Sequence, residues 1–198
     1  SGRGGGQAYG YYLSFSGENE QGILPNNSYD RYTGRVNFDF TPMENLKLEW
    51  SMGLGKVITN SPRNDNDIYG YLGGTMLGNP TSVGTGNDGW YATNRQVRAL
   101  SSIITEDNAT RITPVFTVTY TPFPWFRNRI NAGIDMTRTE AKQFWPKNDS
   151  TWYGTVDLNS GQISHARQTR DEITIDYLGS VRRDFAAVCI LDGFLHGG

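Results

Sequence analysis

Residues 31–55 read RYTGRVNFDFTPMENLKLEWSMGLG, and their period decides the fold. From Tyr32 every second residue is apolar or glycine (Tyr32, Gly34, Val36, Phe38, Phe40), while Thr33, Arg35, Asn37 and Asp39 fill the gaps. After the turn TPMEN the alternation resumes, with Leu46, Leu48, Trp50, Met52 and Leu54 set against Lys47, Glu49, Ser51, Gly53 and Gly55. A period of two is that of a β-strand with one oily and one polar face. The stretch therefore predicts a hairpin of two strands of roughly ten residues each. The oily face belongs against either a protein core or lipid.

Working outward, the same period recurs. Tyr9, Tyr11, Leu13 and Phe15 share one face of an upstream strand, and Ile112, Phe116, Val118 and Tyr120 share one face of a later strand with Pro114. Across the turn TPFPW, the residues Phe126, Ile130, Ala132, Ile134 and Met136 form the matching face. Arg127, Arg129, Asn131 and Asp135 point the other way. A last strand, RDEITIDYLGSVRRDF, sets Ile173, Ile175 and Tyr177 opposite Thr174 and Asp176. The expectation is an all-β chain of about six antiparallel up-and-down strands. A short helix is expected within TNRQVRALSSIIT, where Val97, Leu100 and Ile104 stand at i, i+3 and i+7.

The connections alternate in length. Short turns (TPMEN, TPFPW) face long polar stretches at about 57–110 and 138–168, the layout of outer-membrane barrels. Phe38, Phe40, Trp50, Tyr120, Trp125 and Phe126 are expected near the short-turn end, as an interfacial girdle would be. A wet lumen or bulk water would equally suit the opposite face, which carries Arg35, Asp39, Lys47, Glu49, Arg127 and Asp135. Pattern alone leaves lipid and soluble core both open.

Bulk composition excludes several classes. A net charge of −2 points to no nucleic-acid partner. The single cysteine, Cys189, allows no internal disulfide and sits in an apolar tail that suits an inert small hydrophobe. No run of 18 or more apolar residues could make a membrane helix, although a membrane barrel would show none. The glycines of SGRGGGQAYG lead into a strand rather than a helix, so they form no phosphate loop, and residues 1–8 are expected to be a flexible start.

Chemistry-bearing residues are sparse. His165 and His196 lack Ser, Asp or metal-ligand neighbours at useful spacing, and Asp171 and Glu172 fall on opposite strand faces, so no catalytic residue and no enzymatic activity are expected. RNDNDIYG is oxygen-rich, which makes Asp65 and Asp67 weak calcium candidates, but it lacks the acidic residue that closes an EF-type loop and reads better as an Asx-rich turn. No other cofactor is implied. Trp90, Tyr91, Trp145, Trp152 and Tyr153 fall in the long connections, where they would stack on sugar rings, contact a partner or pack the loops.

The run YYLSFSGENEQGILPNNSYDRYTGRVNFDFTPMENLKLEWSMGLG resembles the barrel region of SusC/RagA-type TonB-dependent outer-membrane transporters. Tyr11–Ser16, Gln21–Ile23, Pro25–Asn26 and Tyr29–Asn37 carry the likeness, with TMLGNP (Thr75–Pro80), TPFPWFRNRINAGID (Thr121–Asp135) and DYLGSVRRDF (Asp176–Phe185) further on. Residues 9–185 would then be part of a transmembrane barrel that closes with about 22 strands around a plug. Residues 186–198, a nearly continuous apolar run at first, depart from the pattern as a truncated or mis-framed tail would. The resemblance implies a bacterial outer-membrane location and import of glycans, oligosaccharides or peptides, driven through TonB, ExbB and ExbD by way of the plug. It also implies a SusD-like surface lipoprotein on the long loops, and a lumen lined by Arg35, Asp39, Lys47, Glu49, Arg127 and Asp135. The alternative is a soluble β-sandwich that binds carbohydrate or mediates adhesion.

Overall fold

The computed structural model describes residues 1–63, 70–77, 101–147 and 160–182. It is one antiparallel sheet in which seven strands follow each other in chain order. The strands are β1 (Gly2–Gly5), β2 (Tyr9–Gln21), β3 (Ser28–Met43), β4 (Leu46–Asn60), β5 (Ile104–Phe123), β6 (Phe126–Trp145) and β7 (Gln162–Val181). The helix α1 (Tyr71–Met76) lies between β4 and β5. All-β, up-and-down architecture is thus as expected. The sheet is not closed: β1 forms one edge and β7 the other.

Seven strands form rather than about six, because residues 2–5 add a strand that alternation did not foretell. They pair with β2 from Gly2 opposite Leu13 to Gly5 opposite Gly10. Alternation could not reveal this strand, since glycine has no side chain to place on either face. It still has a backbone to donate to the ladder, and a Cβ on Gly4 would lie 2.5 Å from the Tyr11 hydroxyl oxygen.

Both short turns are tighter than the sequence suggests. Met43 pairs with Leu46 and Phe123 with Phe126, which leaves only Glu44-Asn45 and Pro124-Trp125 as the turn residues. In each hairpin the register shifts just before the turn, between Phe40 and Met43 and between Tyr120 and Phe123. Each shift brackets a proline, Pro42 or Pro122, whose missing N–H cannot donate to the ladder.

The other ends of the strands run further than alternation foretold. β5 begins at Ile104 instead of Ile112, β6 continues to Trp145, and β7 begins at Gln162. Next to the apolar band the extensions are polar on both faces: Lys56, Thr110, Arg138 and Thr169 share one row, and Gly55, Arg111, Thr137 and Arg170 share the next on the opposite face, while Ile104, Phe144 and Ile163 form an apolar row at the far end. Pairing with a neighbour keeps such residues extended where amphipathicity gives no signal. The helix expected near 93–105 is only partly within the described residues; Ser101 and Ser102 are helical, and Ile104 already belongs to β5. α1 went unforeseen, being six residues without amphipathic spacing.

The register joins the oily faces of all the long strands into one surface. Five successive rows run through Leu46/Tyr120/Asn128, Leu48/Val118/Ile130, Trp50/Phe116/Ala132, Met52/Pro114/Ile134 and Leu54/Ile112/Met136. β3 adds Phe40, Phe38, Val36 and Gly34, and β2 adds Tyr9, Tyr11, Leu13 and Phe15. Tyr120, Trp125 and Phe126 do gather at a turn, where Trp125 stacks on Phe123 at 5.4 Å between ring centroids. Phe38 and Trp50, in contrast, sit beside Phe116 in the third row, at mid-band rather than at the rim.

Among the described residues the buried hydrophobic ones are Ile103, 2% exposed, and Trp145, 4% exposed, both at the long-loop end. Asn26, at a φ of 57°, fastens this end by donating from Nδ2 to the carbonyls of Ser101 and Ile103. The Arg63 guanidinium lies 4.9 Å from the centroid of the Trp145 ring. Among the described residues nothing covers the apolar face: Phe116 is 45% exposed and Tyr120 44%. On the opposite face Thr117 and Thr119 are each 7% exposed. Cross-strand pairs such as Tyr177 Oη donating to Asn128 Oδ1 (2.7 Å) and Arg167 to Glu140 (2.8 Å) tie β7 to β6.

Candidate functional site

The polar face gathers the sheet's chemistry. Cross-strand partners point to the same side of a sheet, so the register assigns faces without ambiguity. Asp39 pairs with Glu49, Glu49 with Thr117, Thr117 with Asn131 and Asn131 with Asp176. Lys47 lies one row nearer the turn, opposite Thr119, and Arg127 lies opposite Ser180. Arg35 stands opposite Ser14 and Gly53, and Asp135 opposite Glu172. All six residues singled out from the sequence as lumen-facing therefore share one face.

Several hollows open on that face among the described residues. The first, ≈ 680 Å³, is lined by Asn37, Asp39, Glu49, Thr117, Asn131 and Asp176 among others. Two like charges, Asp39 and Glu49, stand directly opposite each other there, an arrangement that is unfavourable unless a cation intervenes. Lys47 supplies one to Glu49, with Nζ 2.7 Å from Oε1. Asn131 Oδ1 accepts from Thr117 Oγ1 at 3.0 Å and from Arg129 Nε at 3.2 Å, which aims the amide along the row.

A second hollow, ≈ 520 Å³, holds Arg31, Arg35 and Arg111. A third, ≈ 250 Å³, is lined by Arg111, Asp135, Thr137, Arg170 and Glu172. Between these two, Arg111 Nε donates to both Asp135 oxygens at 2.9 and 3.1 Å, and Nη2 completes a bidentate fork. Thr137 Oγ1 adds a 3.4 Å contact to Asp135. Arg170 also pairs with Glu172, its Nε (2.9 Å) and Nη2 both donating to the one oxygen Oε1.

Arg111 and Arg170 escaped the sequence reading because both precede the alternating part of their strands. Counting back from Ile112 by the period of two would have set Arg111 on the face of Asp135. The loop aromatics fare differently. Trp145 is the last residue of β6, buried, and its Nε1 donates to Gln143 Oε1 at 3.1 Å, so it packs the loop end instead of presenting a free ring. Trp90, Tyr91, Trp152 and Tyr153 lie outside the described residues, as do the calcium candidates Asp65 and Asp67. Among the described residues no group of three or more His, Cys, Asp or Glu side chains could hold a metal ion. His165 points to the apolar-face side, opposite Lys142, with Nε2 3.9 Å from Glu140. Asp171 and Glu172 do fall on opposite faces, opposite Met136 and Asp135.

This arrangement can bind and position ligands through charge and hydrogen bonds. Searched against known proteins, the chain matches no protein-family model and no curated protein.

Proposed function

We propose that this sheet is part of the wall of a TonB-dependent outer-membrane transporter of the SusC/RagA type, a transport protein and not an enzyme. The carrying observation is the apolar band: five rows of outward residues across the long strands, uncovered among the described residues and bounded on the loop side by polar rows. From Leu46 to Leu54 the band spans about 27 Å along β4, or about 20 Å along the membrane normal at a barrel tilt of roughly 40°. Outer-membrane barrels carry an apolar belt about 25 Å tall.

Strand length supports the same reading. β5, β6 and β7 have 20 residues each, whereas strands of globular proteins usually have about 3–10. A crossing needs about 9–11, which leaves the two-sided polar halves to stand above the membrane. A soluble sandwich needs a second apolar layer, and the described strands supply none. The open edges would be completed by further strands, since unpaired amides cannot face hydrocarbon. Outer-membrane location, the lipoprotein partner, energy from TonB, ExbB and ExbD, and glycan or peptide cargo rest on the resemblance of Tyr11–Ser16, Tyr29–Asn37 and Thr121–Asp135 to that family.

The test is fractionation of cells that make the full polypeptide, followed by extraction. The proposal expects it in the outer membrane, released only by detergent, with heat-dependent mobility on gels. A soluble monomer that melts cooperatively without detergent refutes it.

A further inference from the structure

The geometry points to an acidic-saccharide site on the polar face, centred over Gly53 and Gly55 of β4. Three arginines line this spot. Arg35 stands opposite Gly53, and Arg111 stands opposite Gly55 from the other side. Arg31 follows four residues before Arg35 on β3, opposite Val57. Arg31 and Arg35 are thus about 13 Å apart along one strand, and Arg111 lies about 10 Å away across two strand spacings. Arg31 and Arg35 can converge on one group lying between them, with Arg111, held by Asp135, at its far edge.

The floor is kept bare. A Cβ on Gly55 would meet nothing nearer than the Arg111 carbonyl oxygen at 4.0 Å, so neighbouring atoms do not require glycine there. Glycine in a strand interior weakens the strand, and a site where a ligand approaches the backbone is one reason to keep it. Two of the three cations are also uncommitted. Arg111 is held by Asp135, but Arg31 and Arg35 enter no ion pair or hydrogen bond among the described residues, although Glu18 stands across from Arg31.

The remaining lining selects the ligand. Tyr12 offers a ring, and Ser14, Thr33 and Thr113 offer hydroxyls, around a hollow of ≈ 520 Å³. An aromatic face with hydroxyls suits a sugar ring, and a guanidinium fork suits a carboxylate or sulfate. A uronate-bearing glycan unit satisfies both. The inference depends on the transporter reading only for what the ligand is used for; the site itself does not need a membrane.

The experiment titrates the full polypeptide calorimetrically with an oligogalacturonide, with its methyl ester and with inorganic sulfate. The acid should bind, and the ester should bind at least roughly tenfold more weakly, as expected when charge-assisted hydrogen bonds are lost. Arg31→Gln and Arg35→Gln should each weaken acid binding roughly tenfold. Gly55→Thr should abolish binding while leaving the melting temperature unchanged or higher, because a β-branched residue favours a strand. Arg167→Gln, on the other face, should leave acid binding unchanged. Equal binding of acid and ester, indifference to the arginine variants, or sulfate binding as tightly as the sugar would each overturn the site. Flotation with vesicles is scored separately: a soluble polypeptide that binds the acid would defeat the transporter and leave the site standing.

Discussion

Placing an arginine at Phe116 tests whether the apolar band faces lipid. Phe116 lies in the third of five outward rows, between Trp50 and Ala132, and Ile112 lies in the fifth, between Leu54 and Met136. Four residues separate them, about 13 Å along β5 and about 10 Å of depth at a tilt of roughly 40°. An outward arginine costs about 2–4 kcal/mol at the midplane of an outer-membrane barrel and about 0–1 near its edge. Phe116→Arg should therefore cost about 2–3 kcal/mol more than Ile112→Arg, roughly a 30- to 150-fold difference in folding equilibrium. The assay is a urea titration of the full polypeptide folded into phosphatidylcholine vesicles, followed by tryptophan fluorescence. If the face met water instead, Phe116→Arg would remove exposed apolar surface and change stability by no more than about 0.5 kcal/mol. Equal costs at the two positions, or a neutral Phe116→Arg, would refute the lipid reading.

Other substitutions probe the loop end and the register. Asn26→Ala removes the donor to the Ser101 and Ile103 carbonyls from a residue at positive φ; it should cost about 1–3 kcal/mol locally, seen as faster amide hydrogen exchange around residues 101–104. Trp145→Ala should cost about 3–5 kcal/mol by emptying a buried site, and Arg63→Ala about 0.5–2 through the lost ring contact; both are read from denaturant midpoints. Tyr177→Phe deletes the hydroxyl bonded to Asn128 and should cost about 0.5–1.5 kcal/mol, measured the same way.

The two arms of the hairpin of residues 31–55 were legible, since the faces of Tyr32–Phe40 and Leu46–Leu54 follow from a period of two, although the tight turn and the register shift at Pro42 were not. So was the common face of Arg35, Asp39, Lys47, Glu49, Arg127 and Asp135. What the sequence hid was extension without amphipathicity. β1 is mostly glycine, and Thr105–Arg111 and Gln162–Arg170 are largely polar on both faces, with Ala109, Ile163 and Ala166 too isolated to set a period. Their strand state comes from the neighbour's hydrogen-bonding edge, a long-range cause that no local window contains. The Arg111–Asp135 fork was missed for the same reason: it spans two strands, and only the register brings its halves together.

The bonds between β6 and β7 decide something that the two faces cannot. A slip of one residue would turn every oily side chain of β7 inward and is forbidden outright. A slip of two residues would keep Ile173, Ile175 and Tyr177 outside and Thr174 and Asp176 inside, so patterning is blind to it. Tyr177 reaching Asn128, and Arg167 reaching Glu140, break that degeneracy at points ten residues apart on β7. They act as the teeth of a vernier, so the alignment of any strand added beyond β7 inherits its accuracy from two polar contacts that contribute little to stability.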